Sequence, residues 1–400
     1  MEPARTCDRE KRGRYRERES SPKSTEGRSK IVPVHRHHEH IRQKLTERKA
    51  QNALRELKVH SGLIDFCSND YLGLAREPQL HDSGHHEFYG ATGSRLISGH
   101  HSLFDEVEKV LATFYQAEAA LIFNSGYAAN LGFFSCVPQR GDIILYDELI
   151  HASIRDGIRL SHAKSYSFPH NDSEALKRSL EKAEGKVFVA VESVYSMDGD
   201  AAPLETMADI CKDFGAALVV DEAHAAGAFG EGKGLVVQRG LTVQVFARVV
   251  AFGKAYGCHG AAVLGSTDLK NYLINFSRPL IYTTALPLPS VLSIKKAHEF
   301  LRDNLNLIEK LKENIAYFRQ QIVNKQLTLI NSMSAIQCLI IPGNDNVKAV
   351  AGKLQQAGFD VRPILSPTVP EGQERLRICL HSFNTTDQID RFVKTLEEHD

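Results

Sequence analysis

The residues with the clearest chemical potential lie where strands run out. Lys254 sits in Val249-Val250-Ala251-Phe252-Gly253-Lys254-Ala255-Tyr256-Gly257, an apolar and β-branched run that gives way to glycine and lysine. The run reads as a buried strand. The glycines at 253, 257 and 260 let the backbone turn tightly and let another molecule approach. An amine placed there is partly desolvated, which lowers its pKa and frees it to attack an aldehyde. A lone lysine after a strand is equally an ordinary turn residue, so the other strand ends decide between the two readings. Asp221 follows the strand Ala217–Val220 and opens Asp221-Glu222-Ala223-His224. Ser196 follows Val187–Glu192, and His151 opens a helix after the strand Asp142–Tyr146. Ser125, Gly126 and Tyr127 make the turn between the strand Ala119–Phe123 and a helix at 127–136. An aspartate can keep a pyridinium nitrogen protonated, and a histidine can stack on a flat ring. A Ser-Gly turn at a helix start presents N–H groups to a phosphate. Together these are the groups that pyridoxal phosphate needs, since the protein has only to orient that cofactor's electron-sink chemistry.

The alternation of strands and helices implies an α/β fold, with a mainly parallel sheet covered by helices on both faces. In such sheets ligands bind beyond the carboxyl ends of the strands, where all these residues fall. Four segments follow. Residues 1–37 are rich in Arg, Lys, Glu and Ser and predict a disordered basic tail. Residues 38–67 hold a helix over 38–58, with Ile41, Leu45, Leu54 and Leu57 as its apolar positions, and a strand at Ile64–Phe66. Residues 68–288 form a large domain that includes the glycine-rich loop at 90–100, a helix at 102–116 and a strand at Ala261–Gly265. Residues 289–400 form a smaller α/β domain. It has a long helix at 289–324, strands at 335–341 and 375–380, and helices at 346–357 and 385–398. Arg375 and Arg377, two apart on a strand, share a face, and an arginine there can grip a carboxylate with two parallel hydrogen bonds.

Composition narrows the function classes. Lys+Arg and Asp+Glu both number 49, so no basic surface excess argues for nucleic acid or an anionic membrane. No uninterrupted apolar run approaches membrane-spanning length and no signal-peptide pattern opens the chain, so a cytoplasmic protein is expected. Seven scattered cysteines without a CxxC pair predict reduced thiols. His35, His37, His38 and His40 cluster without partners at ligand spacing, and no metal is expected. A rival reading exists. Asp221-Glu222-Ala223-His224 spells an NTPase box, and Gly227 through Lys233 has phosphate-loop spacing. Gly234 stands where the magnesium-binding Ser or Thr belongs, and the order of the two motifs is reversed, so this reading is disfavoured.

Seven motifs in order carry a resemblance. They are Ser68-Asn69-Asp70-Tyr71-Leu72-Gly73-Leu74, Thr92-Gly93-Ser94-Arg95, Asn124-Ser125-Gly126-Tyr127, Ser196-Met197-Asp198-Gly199, Asp221-Glu222-Ala223-His224, Phe252-Gly253-Lys254 and Tyr282-Thr283-Thr284. The chain from about 38 to 398 resembles the α-oxoamine synthases, of type I aminotransferase fold. The resemblance implies a homodimer with a shared active site and pyridoxal 5'-phosphate as cofactor. It makes Lys254 the Schiff-base lysine and general base, Asp221 the partner of the pyridine nitrogen, and His151 the residue stacked on the ring. His224 and Ser196 would bond the cofactor's phenolic oxygen or its neighbours. Ser125, Gly126 and Tyr127 would contact the cofactor, and Thr283 or Thr284 would reach the phosphate of the other subunit. Arg377, helped by Asn69, would hold the amino-acid carboxylate, while Arg55 and Thr368 would meet the acyl substrate.

Segments 196–200 and 367–370 favour, within the family, the decarboxylating condensation of L-alanine with a pimeloyl thioester of coenzyme A or acyl carrier protein, a reaction of biotin biosynthesis. Glycine with an acetyl thioester and serine with a palmitoyl thioester are the alternatives. Two departures stand out. Ala251 occupies the place where the family has a phosphate-binding Thr or Ser, and the segment 79–90 looks short.

Overall fold

The computed structural model describes residues 35–57, 59, 61–81, 89–323 and 327–397. The expectation for residues 1–34, and most of that for 79–90, lies outside them. The chain divides into two units, Met1–Arg55 and Glu56–Asp400.

In the first unit the described element is helix α1, His35–Ala50. It starts inside the stretch assigned to the tail and stops well short of residue 58. The helix ends where Asn52 takes a left-handed φ of 52° and Ala53 N–H bonds back to the Arg48 carbonyl at 2.9 Å. A left-handed Asn satisfies the last helical carbonyls and cannot continue the helix. Leu54 and Leu57 fit the helical period but lie beyond this stop.

In the second unit the elements before the main sheet are β1 (Ile64–Asp65), α2 (Pro78–His81) and α3 (Ser102–Phe114). Then strands and helices alternate: β2 (Ala119–Phe123), α4 (Gly126–Cys136), β3 (Ile143–Asp147), α5 (Ala152–Leu160), β4 (Lys164–Phe168), α6 (Ser173–Leu180), β5 (Val187–Glu192), α7 (Leu204–Asp213) and β6 (Ala217–Asp221). A short α8 (Leu235–Gln238), β7 (Val245–Ala251) and β8 (Ala261–Gly265) follow. The seven strands pair in the order β2-β8-β7-β6-β5-β3-β4. All pairings from β7 to β4 are parallel, and β8 runs antiparallel to both neighbours. Strand β5 is buried along its whole length, as expected of a strand covered on both faces.

Helices α9 (Thr267–Phe276), α10 (Arg278–Ile281), α11 (Leu288–Asp303) and α12 (Asn306–Val323) lead to the last part of the chain. The predicted single helix at 289–324 is therefore two. Asn304 breaks it by leaving helical geometry (φ −132°, ψ 48°) and donating its side-chain amide to the Phe300 carbonyl at 2.8 Å. Beyond lie β9 (Ile336–Ile340), α13 (Asn344–Gln356), β10 (Phe359–Asp360), β11 (Arg362–Ile364), β12 (Arg375–Cys379) and α14 (Thr386–Glu397). A three-stranded antiparallel sheet has the order β11-β12-β9, and β1 pairs with β10 in parallel. One apolar core includes Val250 and Phe252 of the main sheet region with Ile336, Leu376 and Phe392 of the last part.

The turn after β7 is closed by backbone bonds. Phe252 N–H reaches the Gly260 carbonyl at 2.9 Å, Cys258 N–H the Phe252 carbonyl at 2.8 Å, and Gly257 N–H the Lys254 carbonyl at 2.8 Å. Gly257 has φ of 61°, and a Cβ there would lie 2.1 Å from the Ala75 nitrogen. Left-handed backbone costs a non-glycine residue roughly 1–2 kcal/mol before any clash. Gly257→Ala is expected to destabilise the protein by more than about 2 kcal/mol, the strain plus the displaced backbone. Denaturant unfolding of both forms checks this, and an unchanged midpoint would contradict the packing described.

Candidate active site

Lys254 sits three residues past the last residue of β7, not at its tip. The side chain is half-buried. Burial pushes its amine down to about 8, against the charge of Asp221, which pulls it up; the carboxyl of Glu192 stands beside that of Asp221. Those two carboxylates end adjacent parallel strands and are register partners, Glu192 opposite Asp221. Two carboxylates so placed do not both ionise cheaply. The hydrogen bonds tell them apart. Asp221 accepts from the Asn130 amide at 2.6 Å and from Ala223 N–H at 2.8 Å. Glu192 Oε1 is buried without a partner among the described residues. Burial and the Asp221 charge push the Glu192 carboxyl well above the usual range, which makes it the protonated member of the pair.

Asp221 is aimed through helix α4. Gly157 of α5 has no room for a Cβ, which would stand 2.8 Å from Phe134 Cβ and 3.0 Å from the Asn130 carbonyl. That close crossing brings Asn130 within 3.0 Å of the Ser153 hydroxyl. Ser153 in turn meets His151 Nδ1 at 2.7 Å. Helix α5 thus starts on a histidine whose ring nitrogen also accepts from Ser153 N–H at 3.2 Å. Burial and the Lys254 charge lower the His151 pKa, against the Asp221 charge that raises it. The chain His151–Ser153–Asn130–Asp221 fixes imidazole and carboxylate relative to each other. The Tyr127 ring stands edge-on to His151 at 6.5 Å, its hydroxyl on Asp156.

Helix α4 begins beside this chain. Ser125 caps it, its hydroxyl accepting from Ala128 N–H at 3.1 Å, and the first helical residue is Gly126. A Cβ on Gly126 would touch the Ala251 methyl at 3.4 Å. The unpaired N–H groups of the first turn make this an anion site. Glycine at 126 and alanine at 251 leave it open.

A second hydrogen-bond chain ties the site to β12. His224 Nδ1 meets the Tyr71 hydroxyl at 2.7 Å, and Tyr71 donates to Asn69 Oδ1 at 3.1 Å. Asn69 Oδ1 also accepts from Arg377 Nη2 at 3.1 Å, and Arg377 Nε donates to the Ser196 carbonyl at 2.8 Å. Burial and the Lys254 charge hold His224 neutral. The turn bearing Asn69 is pinned by Asp65, whose Oδ1 accepts from Cys67 and Ser68 N–H at 3.0 and 2.9 Å. Arg375 ion-pairs with Asp198 and is buried, which leaves Arg377 as the arginine whose bonds go to neutral groups.

The residues expected from sequence are distributed as follows. Lys254, Asp221 and His151 interact electrically, and His224, Asn69, Ser196 and Arg377 join them through the second chain. Gly126, just after the Ser125 cap, lies against Ala251, three residues before the lysine. Thr283 is half-buried and Thr284 exposed, and the Thr284 carbonyl accepts from the Asn124 side chain at 2.8 Å. Thr368 is exposed in the turn after β11, its N–H on the Leu365 carbonyl at 2.8 Å. Arg55 is an exposed residue of the first unit. Sequence reasoning passed over Asn130, Ser153, Tyr71 and the carboxyl of Glu192. Only Tyr71 carried a signal, as part of a quoted motif.

The donor set fits pyridoxal phosphate. It has a low-pKa amine, an ionised carboxylate aimed by Asn130, a neutral imidazole, and a helix start cleared by Gly126. The small Ala251 side chain beside Gly126 is the weak point of the phosphate end. A hydrogen bond to a charged group contributes about 1.5–3 kcal/mol. Ala251→Thr is therefore expected to tighten cofactor binding by roughly tenfold or more. Equal dissociation constants in a cofactor titration of the two forms would refute this.

Comparison with known proteins agrees with this geometry. The model of the family "Aminotransferase class I and II" matches residues 61–396. An 8-amino-7-oxononanoate synthase of Emericella nidulans is 39% identical over 387 residues, covering 89% of this chain and 94% of that protein. A serine palmitoyltransferase variant from S. paucimobilis, solved with a PLP–myriocin aldimine, superposes with a TM-score of 0.84 at 26% identity, covering 92% of this chain and 98% of that one. The 8-amino-7-oxononanoate synthase of Francisella tularensis gives a TM-score of 0.71 at 30% identity, covering 85% and 98%. No helix among the described residues is long and apolar enough to cross a membrane. The chain belongs to the class I and II aminotransferase family, on its pyridoxal-phosphate-dependent α-oxoamine synthase branch.

Proposed function

We propose that this protein condenses L-alanine with a pimeloyl thioester, with loss of carbon dioxide, to give 8-amino-7-oxononanoate for biotin synthesis. The observation that carries the reading is Arg377, held by the Ser196 carbonyl and Asn69 on the same hydrogen-bond chain as His224. It supports the reading because it puts a carboxylate receptor beside a low-pKa amine. The 39% identical relative carries that activity in its name and supports the choice of substrates.

Pyridoxal phosphate, when bound, supplies an aldehyde and an electron-withdrawing ring that spreads charge developed at the amino acid's α-carbon. The chain's residues do the rest. Arg377 holds the alanine carboxylate and Asn69 orients the guanidinium. Lys254 Nζ takes the α-proton and later returns one, a task matched to an amine of pKa about 8. Asp221 would pair with the cofactor's ring nitrogen, and His151 would stack on the ring. The thiolate of the acyl donor leaves as the new carbon–carbon bond forms. The exposed Tyr282, next to Thr283-Thr284, supports a homodimer whose partner completes the phosphate site. Coenzyme A and acyl carrier protein both remain candidate carriers, and Thr368 and Arg55 are proposed to meet the acyl group.

A second reading, condensation of serine with a long acyl thioester, is favoured by the high structural similarity to serine palmitoyltransferase. Thiol release from pimeloyl and palmitoyl thioesters with alanine, glycine or serine separates the two. Alanine with the pimeloyl donor is expected to be preferred, and a serine preference would overturn the first reading. Lys254→Ala is expected to lower turnover roughly 10²–10⁴-fold or more. Arg377→Lys is expected to raise the alanine KM by roughly tenfold or more with a smaller change in kcat. An unchanged KM would remove Arg377 from the carboxylate site.

A further inference from the structure

The turn that presents Ser196 to Arg377 is gripped from two sides. On the β9–β12 side, Arg375 pairs with Asp198. Cys338 Sγ donates to the Met197 carbonyl at 3.1 Å, and the Ser332 and Ser334 hydroxyls donate to the Gly199 carbonyl at 2.6 and 2.8 Å. On the side of the main sheet the grip centres on His170. Its Nδ1 lies 3.0 and 3.1 Å from the two oxygens of Asp147, at the end of β3. Its Nε2 lies 2.8 Å from Asp200 Oδ2. Asn171 reinforces the contact, its amide 2.7 Å from the same oxygen. The Tyr195 ring stands edge-on to the imidazole at 4.4 Å. Within the turn, Tyr195 N–H bonds to the Asp200 carbonyl at 3.0 Å and Gly199 N–H to the Tyr195 carbonyl at 2.8 Å.

We propose that His170 is a positioning residue: an imidazolium clamped between Asp147 and Asp200 that fixes the 195–201 turn and, through the Ser196 carbonyl, the guanidinium of Arg377. This rests on the reading of Arg377 as the carboxylate receptor. A ring nitrogen facing a carboxylate is stable only as a donor, and His170 faces a carboxylate with each nitrogen. His170, Asp198 and Asp200 offer ligand atoms within 4.8 Å of one another. An imidazole protonated on both nitrogens has no lone pair for a cation.

The charged groups facing His170 are Asp147, Asp200, Asp198 with its partner Arg375, and Glu148, which accepts the His170 backbone N–H at 3.1 Å. Burial lowers the His170 pKa, but the hydrogen bonds and charges of Asp147 and Asp200 overcome it and raise it to about 9. A raised folded-state pKa means that the clamp's contribution is complete below the ordinary value of 6.5 and is lost as pH rises through about 9. A neutral ring then turns a lone pair toward one carboxylate and releases the turn.

The test uses the full-length holoenzyme with imidazole nitrogen-15 labelling. The ring shifts of His170 are followed against pH. The dissociation constants of alanine, without thioester, are read in parallel from the change in cofactor absorbance. The expected result is a doubly protonated ring at pH 7, losing a proton near 9, with alanine binding weakening roughly tenfold across that step. Asp200→Asn, which removes one partner, is expected to move both steps to lower pH with cofactor affinity unchanged. His170→Gln, which cannot titrate, is expected to lose its share of the binding step. The amine of alanine titrates identically in all three proteins, so it cancels from the comparison. A neutral ring at pH 7, superimposed alanine profiles for the three proteins, or a loss of cofactor affinity equal to that for alanine would overturn the clamp. No response to alanine, glycine or serine in any of the proteins overturns the proposed function and with it the role given to Arg377. Superimposed profiles with a normal response overturn the clamp alone.

Discussion

The structure turns on one half-buried lysine among ionisable neighbours. A buried ammonium is costly unless it is balanced, and the balance at Lys254 is uneven. Asp221 supplies one full negative charge, stabilised by Asn130 and Ala223 N–H. Glu192, its neighbour across the β5–β6 pairing, is held protonated by burial and by Asp221 itself. The amine is left poised near 8, between free base and ammonium, where it can exchange protons in both directions. The close crossing of α4 and α5 at Gly157 serves this balance, since it brings up the Asn130 that hydrogen-bonds Asp221.

The second organising feature is a bridge. The chain from His224 through Tyr71 and Asn69 to Arg377, with the 195–201 turn as its other anchor, joins the ends of the parallel strands to β12. An arginine on the antiparallel sheet is thereby fixed relative to a lysine just beyond the parallel strands. On the proposed reading, binding energy between a substrate carboxylate and Arg377 can then orient the reacting bond. Of the two arginines on β12, Asp198 neutralises Arg375, while among the described residues the hydrogen bonds of Arg377 go to neutral groups.

Much of this was legible in the sequence, because βα alternation alone places residues at strand ends. Lys254, Asp221, His151, Ser125 and Ser196 were found that way. Asn130 and Ser153 were not, since each lies inside a helix and becomes important only through a helix crossing that no local pattern reveals. Glu192 reads as the polar end of an apolar strand, and its protonation depends on which strand lies beside it. Strand β4, Lys-Ser-Tyr-Ser-Phe, was missed because it is a polar sheet edge, largely exposed, and lacks the apolar pattern of its neighbours. Helix α1 was drawn too long because leucines at helical spacing continue past the left-handed Asn52. The break between α11 and α12 was hidden for a similar reason. Apolar periodicity runs through Asn304, and periodicity records packing, not caps.

The central claim is that burial opposed by Asp221 poises Lys254. It is tested most directly by the titration of Lys254 itself, in cofactor-free protein carrying carbon-13 at the lysine ε-position, with the resonance assigned through Lys254→Arg. The account predicts a midpoint near 8, well below the ordinary 10.5, and a further fall in Asp221→Asn. A midpoint at the ordinary value, or a rise when the Asp221 charge is removed, would contradict it.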